Sequence, residues 1–363
     1  NSICNCGIFR KRLVNDEFEM NIKFMKAYLI LCYVLWSLML GMIGCTIPSD
    51  KEIYQSSRNE VLKVQDGVKE IIGDEVLIGS IARLNILNDY LLIKDAKSQD
   101  TLIHIFNKHT FEYVRGVGIW GEGPDEITSL GKLVVDEKNN IFHAPDLGKN
   151  KILAYEMDSV IANPFYKPVL KHRIGKTQFP DEYVYFSDSL SIARIIKILP
   201  DAPFQQSLAF WNMQTDEMVP LSYSHPEIER KRVRFNVSKE RNIIVEAYSH
   251  HDLMTIYDFQ GNFKCNVYGP EWDNSMSNRM NYFGAVCFYK DYIMALYAGK
   301  ENFSNDYLPT SLLVFDMNGN YIRTLDVGYK MMDFCIDEDN NRAIFAFSDE
   351  IQFGYLDLEK YFK

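Results

Sequence analysis

The chain has 363 residues, 47% of them hydrophobic and 13% aromatic, with 39 Lys and Arg against 49 Asp and Glu for a net charge of −10. That length admits one large domain or two medium ones with a sizeable core. The 22 Tyr and 23 Phe lean towards β-structure, and so acidic a chain argues against nucleic acid as a partner.

Taken from the start, residues 1–24 read as an upstream extension or n-region, because residues 1–19 contain no methionine and no periodic pattern. Residues 25–44 read as an export signal. Lys23 and Lys26 precede the apolar stretch Ala27–Gly44, and a basic start followed by an apolar run is how a secretory signal looks. Its 18 residues also reach the length of a membrane span, so an uncleaved anchor is the alternative. The end of the stretch, Leu40-Gly41-Met42-Ile43-Gly44-Cys45, resembles the lipobox of bacterial lipoprotein precursors, although Met42 stands where leucine is preferred. The resemblance implies cleavage between Gly44 and Cys45, and lipid, palmitate among its acyl chains, on Cys45. Several acyl chains hold a protein to a membrane where one does so marginally. Residues 45–57 read as a polar tether. Asp50 and Glu52 within it resemble a surface-export signal of some Gram-negative lipoproteins, with an ordinary linker as the other reading.

Residues 58–363 carry one recurring pattern, an alternating apolar strand closed by Asp, Asn or Glu. It stands at Ile103–Asn107, Ile152–Glu156, Leu208–Asn212, Thr255–Asp258, Leu313–Asp316 and Phe353–Asp357. Between Phe106, Tyr155, Trp211, Tyr257, Phe315 and Leu356 the intervals are 49, 56, 46, 58 and 41 residues, the length of a four-stranded propeller blade with variable loops. The polar residue starts a tight turn, since its short side chain hydrogen-bonds backbone two residues on. Asp258–Asn262 and Asp316–Asn320 show such turns in full, each followed by a second strand.

A second signature, strand–polar turn–strand, occurs at Leu133–Phe142 and Phe334–Phe345, with a looser copy at Phe235–Val245. Each unit is therefore strand–turn–strand–loop–strand–turn–strand. Together these predict an all-β fold: a six-bladed β-propeller of four-stranded antiparallel blades. The last blade reaches its third strand as the sequence ends, so a strand from 59–79 is expected to close it. Glu60–Val64 and Glu75–Ile78 are the apolar runs available. Closure removes an open sheet edge.

The region from Ser57 onward resembles the TolB-like six-bladed propeller lipoproteins of Gram-negative bacteria, most specifically at Gly118–Glu126, which looks like that family's G-x-G-P-x-E segment. The resemblance implies a propeller lipoprotein of the cell envelope, at the outer membrane, and no catalytic residue.

Candidate chemistry is sparse. Gly116–Gly121 matches G-x-G-x-x-G, yet Gly123-Pro124 follows where a dinucleotide site needs a helix. The run Arg230, Lys231, Arg232 and Arg234 reads as a solvated strand face. His250, His251 and Asp252 form the densest group of possible metal ligands, in an expected hairpin loop, and His143 with Asp146 holds the equivalent place in blade two. Adjacent histidines on a strand point to opposite faces and rarely share an ion. Trp120, Trp272 and Tyr282 are candidate loop aromatics for stacking on a sugar or a partner protein. The three cysteines beyond the signal, Cys265, Cys287 and Cys335, read as buried free thiols. The reading is a ligand-binding or protein-interaction platform without a cofactor, with a glycan or envelope protein as partner. The alternative is a lactonase-like hydrolase with a divalent metal in the central channel.

Overall fold

A computed structural model describes residues 51–73, 76–200, 204–275, 278–304 and 306–362. The signal, Gly44 and Cys45 lie outside them. Six antiparallel sheets follow one another along the chain, each meandering outward from its first strand. Those first strands are Ala82–Leu87, Val134–Asp136, Gln178–Ser187, Val233–Ser238, Met280–Tyr289 and Met331–Asp337, and they begin blades one to six. Neighbouring first strands pack on each other at five of the junctions, blades three and four join through Ile192, Phe235 and Ile244, and blade six returns to blade one through Met331–Asp337 against Ala82–Leu87. The ring is closed around a central channel.

The recurring pattern read from the sequence is the third strand of every blade, at Thr101–Asn107, Lys151–Glu156, Gln205–Asn212, Leu253–Tyr257, Ser311–Asp316 and Phe353–Asp357. The polar residue does what its chemistry requires. The backbone N–H of Asn262 donates to Asp258 Oδ1 at 2.9 Å, and that of Asn320 to Asp316 Oδ1 at 2.9 Å. Gly261 lies between at φ +80°, where a β-carbon would be strained.

Blades are buried on both faces because side chains alternate across each strand. Ile244 packs into a cluster with Ile192 and Leu208 of blade three, whereas Ile243 and Val245 pack with Phe283 and Phe315 of blade five. Each of the six junctions has such an apolar cluster. This explains strands that read as apolar runs interrupted by few charges.

Closure by an N-terminal strand from 59–79 is present, and the strand lies between the two apolar runs of that segment. Val68–Glu70 pairs antiparallel with Phe353–Asp357, setting Val68 opposite Leu356 and Glu70 opposite Gly354. Val61–Lys63, within one of the anticipated runs, instead adds a parallel fifth strand to Tyr321–Asp326 of blade five. Of the other run, Val76–Ile78 lies outside any strand and lines a cavity.

The tether also ends sooner than expected. Glu52–Tyr54 is a parallel fifth strand on Phe263–Tyr268 of blade four, and Tyr54 stacks on Tyr268 with ring centroids 4.4 Å apart. Residues 52–70 therefore run as a belt along the outer edges of blades four, five and six. The β-register outweighed the polar composition there, because an edge strand needs backbone partners more than apolar side chains.

Candidate binding site in the central channel

The first strands share one register. In each, or just before it in blade two, a residue stands immediately ahead of a buried apolar side chain: Arg83 before Leu84, Lys132 before Leu133, Glu182 before Tyr183, Arg234 before Phe235, Ala285 before Val286, and Asp333 before Phe334. The buried partner fixes the strand between its neighbours, so the preceding residue is turned to the other side, at the inner edge of the ring. One tier of the channel thus carries three cations and two carboxylates, while Ala285 of blade five packs against the apolar cluster of the five–six junction. Lys94 and Arg194 join it from the second strands, cross-strand partners of Arg83 and Glu182 respectively.

Much of this charge staples blades together. Lys132 of blade two donates to Glu182 of blade three. Arg194 grips Asp181 with two hydrogen bonds of 2.9 and 2.7 Å, donates to the Val233 carbonyl of blade four at 2.6 Å, and lies 3.2 Å from Glu182. Arg83 donates through Nη1 to the Met332 carbonyl of blade six at 2.7 Å, while Asp333 Oδ2 accepts from the Leu84 N–H at 2.9 Å. Neutral groups serve the other junctions. Asn85 donates to Leu133, Asn236 to Val286, and the Cys287 thiol to Phe334, always onto a carbonyl of the next blade.

The groups feel one another across the channel. Burial alone would raise the Glu182 carboxyl, but Lys132, Arg194 and Arg234 outweigh it and hold it at about 2. Burial, and next the Arg83 guanidinium, pushes the Lys94 ammonium down to about 8, with Asp333 and Glu182 opposing. Burial also raises the Asp333 carboxyl against Arg83, Lys132 and Arg234. Arg234 of blade four is lowered by burial and then by Arg194 and by Arg83 from the far side of the ring, with Glu182 opposing. Five blades therefore converge on one charged centre.

The residues singled out from the sequence fare differently. His143 and Asp146 lie within the strand Ile141–Asp146 and are buried. His143 Nδ1 is 3.1 Å from the Tyr183 hydroxyl, and burial followed by the Lys171 charge lowers the ring to about 4. Asp146 Oδ1 accepts from the backbone N–H groups of Thr128, Ser129 and Lys149. His250–Asp252 is not a solvated loop. Asp252 is fully buried, takes Arg58 of the belt at 2.8 Å and the Tyr297 hydroxyl at 3.1 Å, and accepts from the Glu271 N–H. His251 is buried against the Asp273 carbonyl and Trp272, and His250 against the Met280 carbonyl. The two groups are engaged by different blades and do not meet.

Trp120 alone of the three aromatics is well exposed, at 51%. Trp272 packs on Tyr268 and His225, and Tyr282 is buried with its hydroxyl on the Glu271 carbonyl. The basic run is split as well: Lys231 is a buried partner of Glu246 at 3.1 Å, Arg232 stacks on Phe204, and Arg234 enters the channel.

The glycine-rich segment after blade one is structural. Glu126 accepts from the Gly123 N–H at 2.6 Å and lies where a β-carbon on Gly121 would fall. Lys149 donates to the carbonyls of Gly121, Gly123 and Glu126, and Lys151 to that of Pro124. A separate cavity of about 170 Å³ lies at the closing junction, lined mainly by apolar groups such as Ile71, Ile72, Leu91, Phe106 and Phe353. It lacks the convergent polar groups of a recognition site. Among the described residues no three His, Cys, Asp or Glu side chains are grouped to hold a metal.

Comparison with known proteins agrees with the architecture. The DUF5128 family model, described as a 6-bladed beta-propeller, matches residues 72–195. The chain is a six-bladed β-propeller. A protein of Bacteroides fragilis described as a candidate exported protein is 11% identical with a TM-score of 0.52, over 84% of this chain and 98% of its own. A DUF4221 family member from Bacteroides vulgatus is 12% identical with a TM-score of 0.51, over 80% and 98%. At that identity the likeness is one of fold. No curated protein matches the chain.

Sequence reasoning missed the charged tier. Its signal was present, because Lys132, Arg234 and Asp333 each stand directly before a strand–turn–strand signature.

Proposed function

We propose that this protein is a lipoprotein of the cell envelope, held at the outer membrane through Cys45, whose propeller binds a ligand at the mouth of its central channel. The observation that carries the reading is the convergence of charged side chains from five blades at the channel. Elsewhere the candidate polar residues are taken up by the scaffold: Asp146, Asp252 and the His250–His251 pair are all bonded to their own or neighbouring blades. The anchor is supported by the basic–apolar–cysteine pattern ending at Cys45, and export is in keeping with the description of the Bacteroides fragilis structure.

A divalent metal is a poor fit to the channel. Glu182 and Asp333 are the two carboxylates of the tier, and Lys132, Arg83 and Arg234 lie within reach of them. A cation there would meet those three charges and that of Arg194, 3.2 Å from Glu182. The test is thermal melting of the full chain in detergent micelles against charged and neutral small molecules, with mass spectrometry of each compound afterwards. Reproducible stabilisation by a compound that stays unchanged supports a binding platform. Chemical conversion of a stabilising compound, or no stabilisation at all, counts against it. Fatty-acid labelling that survives Cys45→Ala would refute the anchor.

A further inference from the structure

We propose that Arg83 and Arg234, facing each other across the channel, form a binding site for an oxyanion, a carboxylate or phosphate group carried on a small molecule. This rests on the ligand-binding reading and names the ligand's chemistry.

Lys132 is bound to Glu182, and all three nitrogens of the Arg194 guanidinium are taken up by Asp181 and the Val233 carbonyl. Those of Arg83 and Arg234 are not. Arg83 is fixed through Nη1 on the Ala82 and Met332 carbonyls, at 3.2 and 2.7 Å, and its Nε and Nη2 make no hydrogen bond among the described residues. Arg234 has one ion pair there, 3.9 Å from Glu182, beyond hydrogen-bonding distance, and its side chain is 46% exposed. Each guanidinium therefore keeps part of its planar donor fork free, the geometry that matches a carboxylate or phosphate.

The local charge points the same way. Arg83, Lys94, Lys132, Arg194 and Arg234 face Asp181, Glu182 and Asp333, five cations against three carboxylates, in a chain whose net charge is −10. A surplus of two positive charges gathered at the channel attracts an anion there. Burial first, then Arg83 and, least, Lys132 bring Lys94 down to about 8 against Asp333 and Glu182.

The test is titration calorimetry of the full chain in detergent micelles with inorganic phosphate, sulfate and succinate. It is run on the native protein and on Arg83→Gln, Arg234→Gln and Arg232→Gln, each checked for an unchanged melting curve. Arg232 is a control, stacked on Phe204 and donating to the Lys231 carbonyl. The expected result is one saturable site for at least one oxyanion, weakened about ten-fold or more by each channel substitution, the loss for charged hydrogen bonds, and unchanged by Arg232→Gln. Absence of saturable binding in the native protein overturns the proposal. So does an equal loss in Arg232→Gln, or full affinity in Arg234→Gln. A neutral saccharide that binds where the oxyanions do not would also overturn it, while leaving the binding platform standing.

Discussion

Glu182→Gln removes the one carboxylate that Lys132, Arg194 and Arg234 share. Glu182 is 4% exposed, and its carboxyl is held at about 2 against an ordinary 4.5. That difference is worth about 3 kcal/mol of folding stability. The sign follows from the direction. A depressed carboxyl value means stability fully present above about 4.5 and lost as pH falls from there towards 2. The amide keeps the shape and removes the charge, leaving Arg194 with Asp181 but Lys132 unanswered. At pH 7 the variant is expected to lose about 3 kcal/mol in urea unfolding. For a chain of this size that is roughly 5 °C in Tm. The variant should also lose part of the acid limb of the stability–pH curve between 4.5 and 2. Lys132→Ala, which removes a half-exposed partner, should cost less than about 1 kcal/mol. A Glu182→Gln variant within about 0.5 kcal/mol of the native protein, with its acid limb intact, would refute the reasoning.

Other expectations follow from the belt and the buried histidines. Deleting 59–79 removes the closing strand Val68–Glu70 and the blade-five strand Val61–Lys63. The remaining chain should lose its cooperative melt by circular dichroism, and a melt like the full chain's would disprove closure. Arg58→Ala strands the buried Asp252 carboxylate and should cost about 3 kcal/mol in urea unfolding. A cost near zero would show that the belt is not anchored there. His143, held neutral with a value near 4, lowers stability as pH falls below 6.5, because the unfolded ring takes the proton first. His143→Gln should flatten the stability–pH slope between 6.5 and 4, and an unchanged slope would assign it to His104, His225 and His251, whose rings burial lowers in the same direction.

The blade repeat was legible because each third strand couples an apolar alternation to a turn residue with a fixed chemical task, as Asp258 and Asp316 show. Closure by a strand from 59–79 was legible from counting strands, but not which three residues of that segment form it. Val68–Glu70 is three residues long with little apolar character, and register with Tyr355 selects it, not hydrophobicity. The same holds for Glu52–Tyr54. The candidate site was misplaced for a related reason. A polar cluster such as His250–Asp252 looks alike in a loop and in a buried network, and its deciding partner, Arg58, is 194 residues distant from Asp252 in sequence. The channel tier was hidden because its members are single residues on separate blades. Arg234 was drawn into a run of neighbours whose side chains go elsewhere, Lys231 to Glu246 and Arg232 to Phe204. Aligning the blades on their strand–turn–strand signature brings Lys132, Arg234 and Asp333 into one column.

The most direct test of channel recognition is a crystal of the protein soaked with selenate, an oxyanion of phosphate's shape that is visible by anomalous scattering. An anomalous peak within hydrogen-bonding distance of both Arg83 and Arg234 is the expected result. Selenate confined to the outer surface, or a metal cation bound between Glu182 and Asp333, would contradict it.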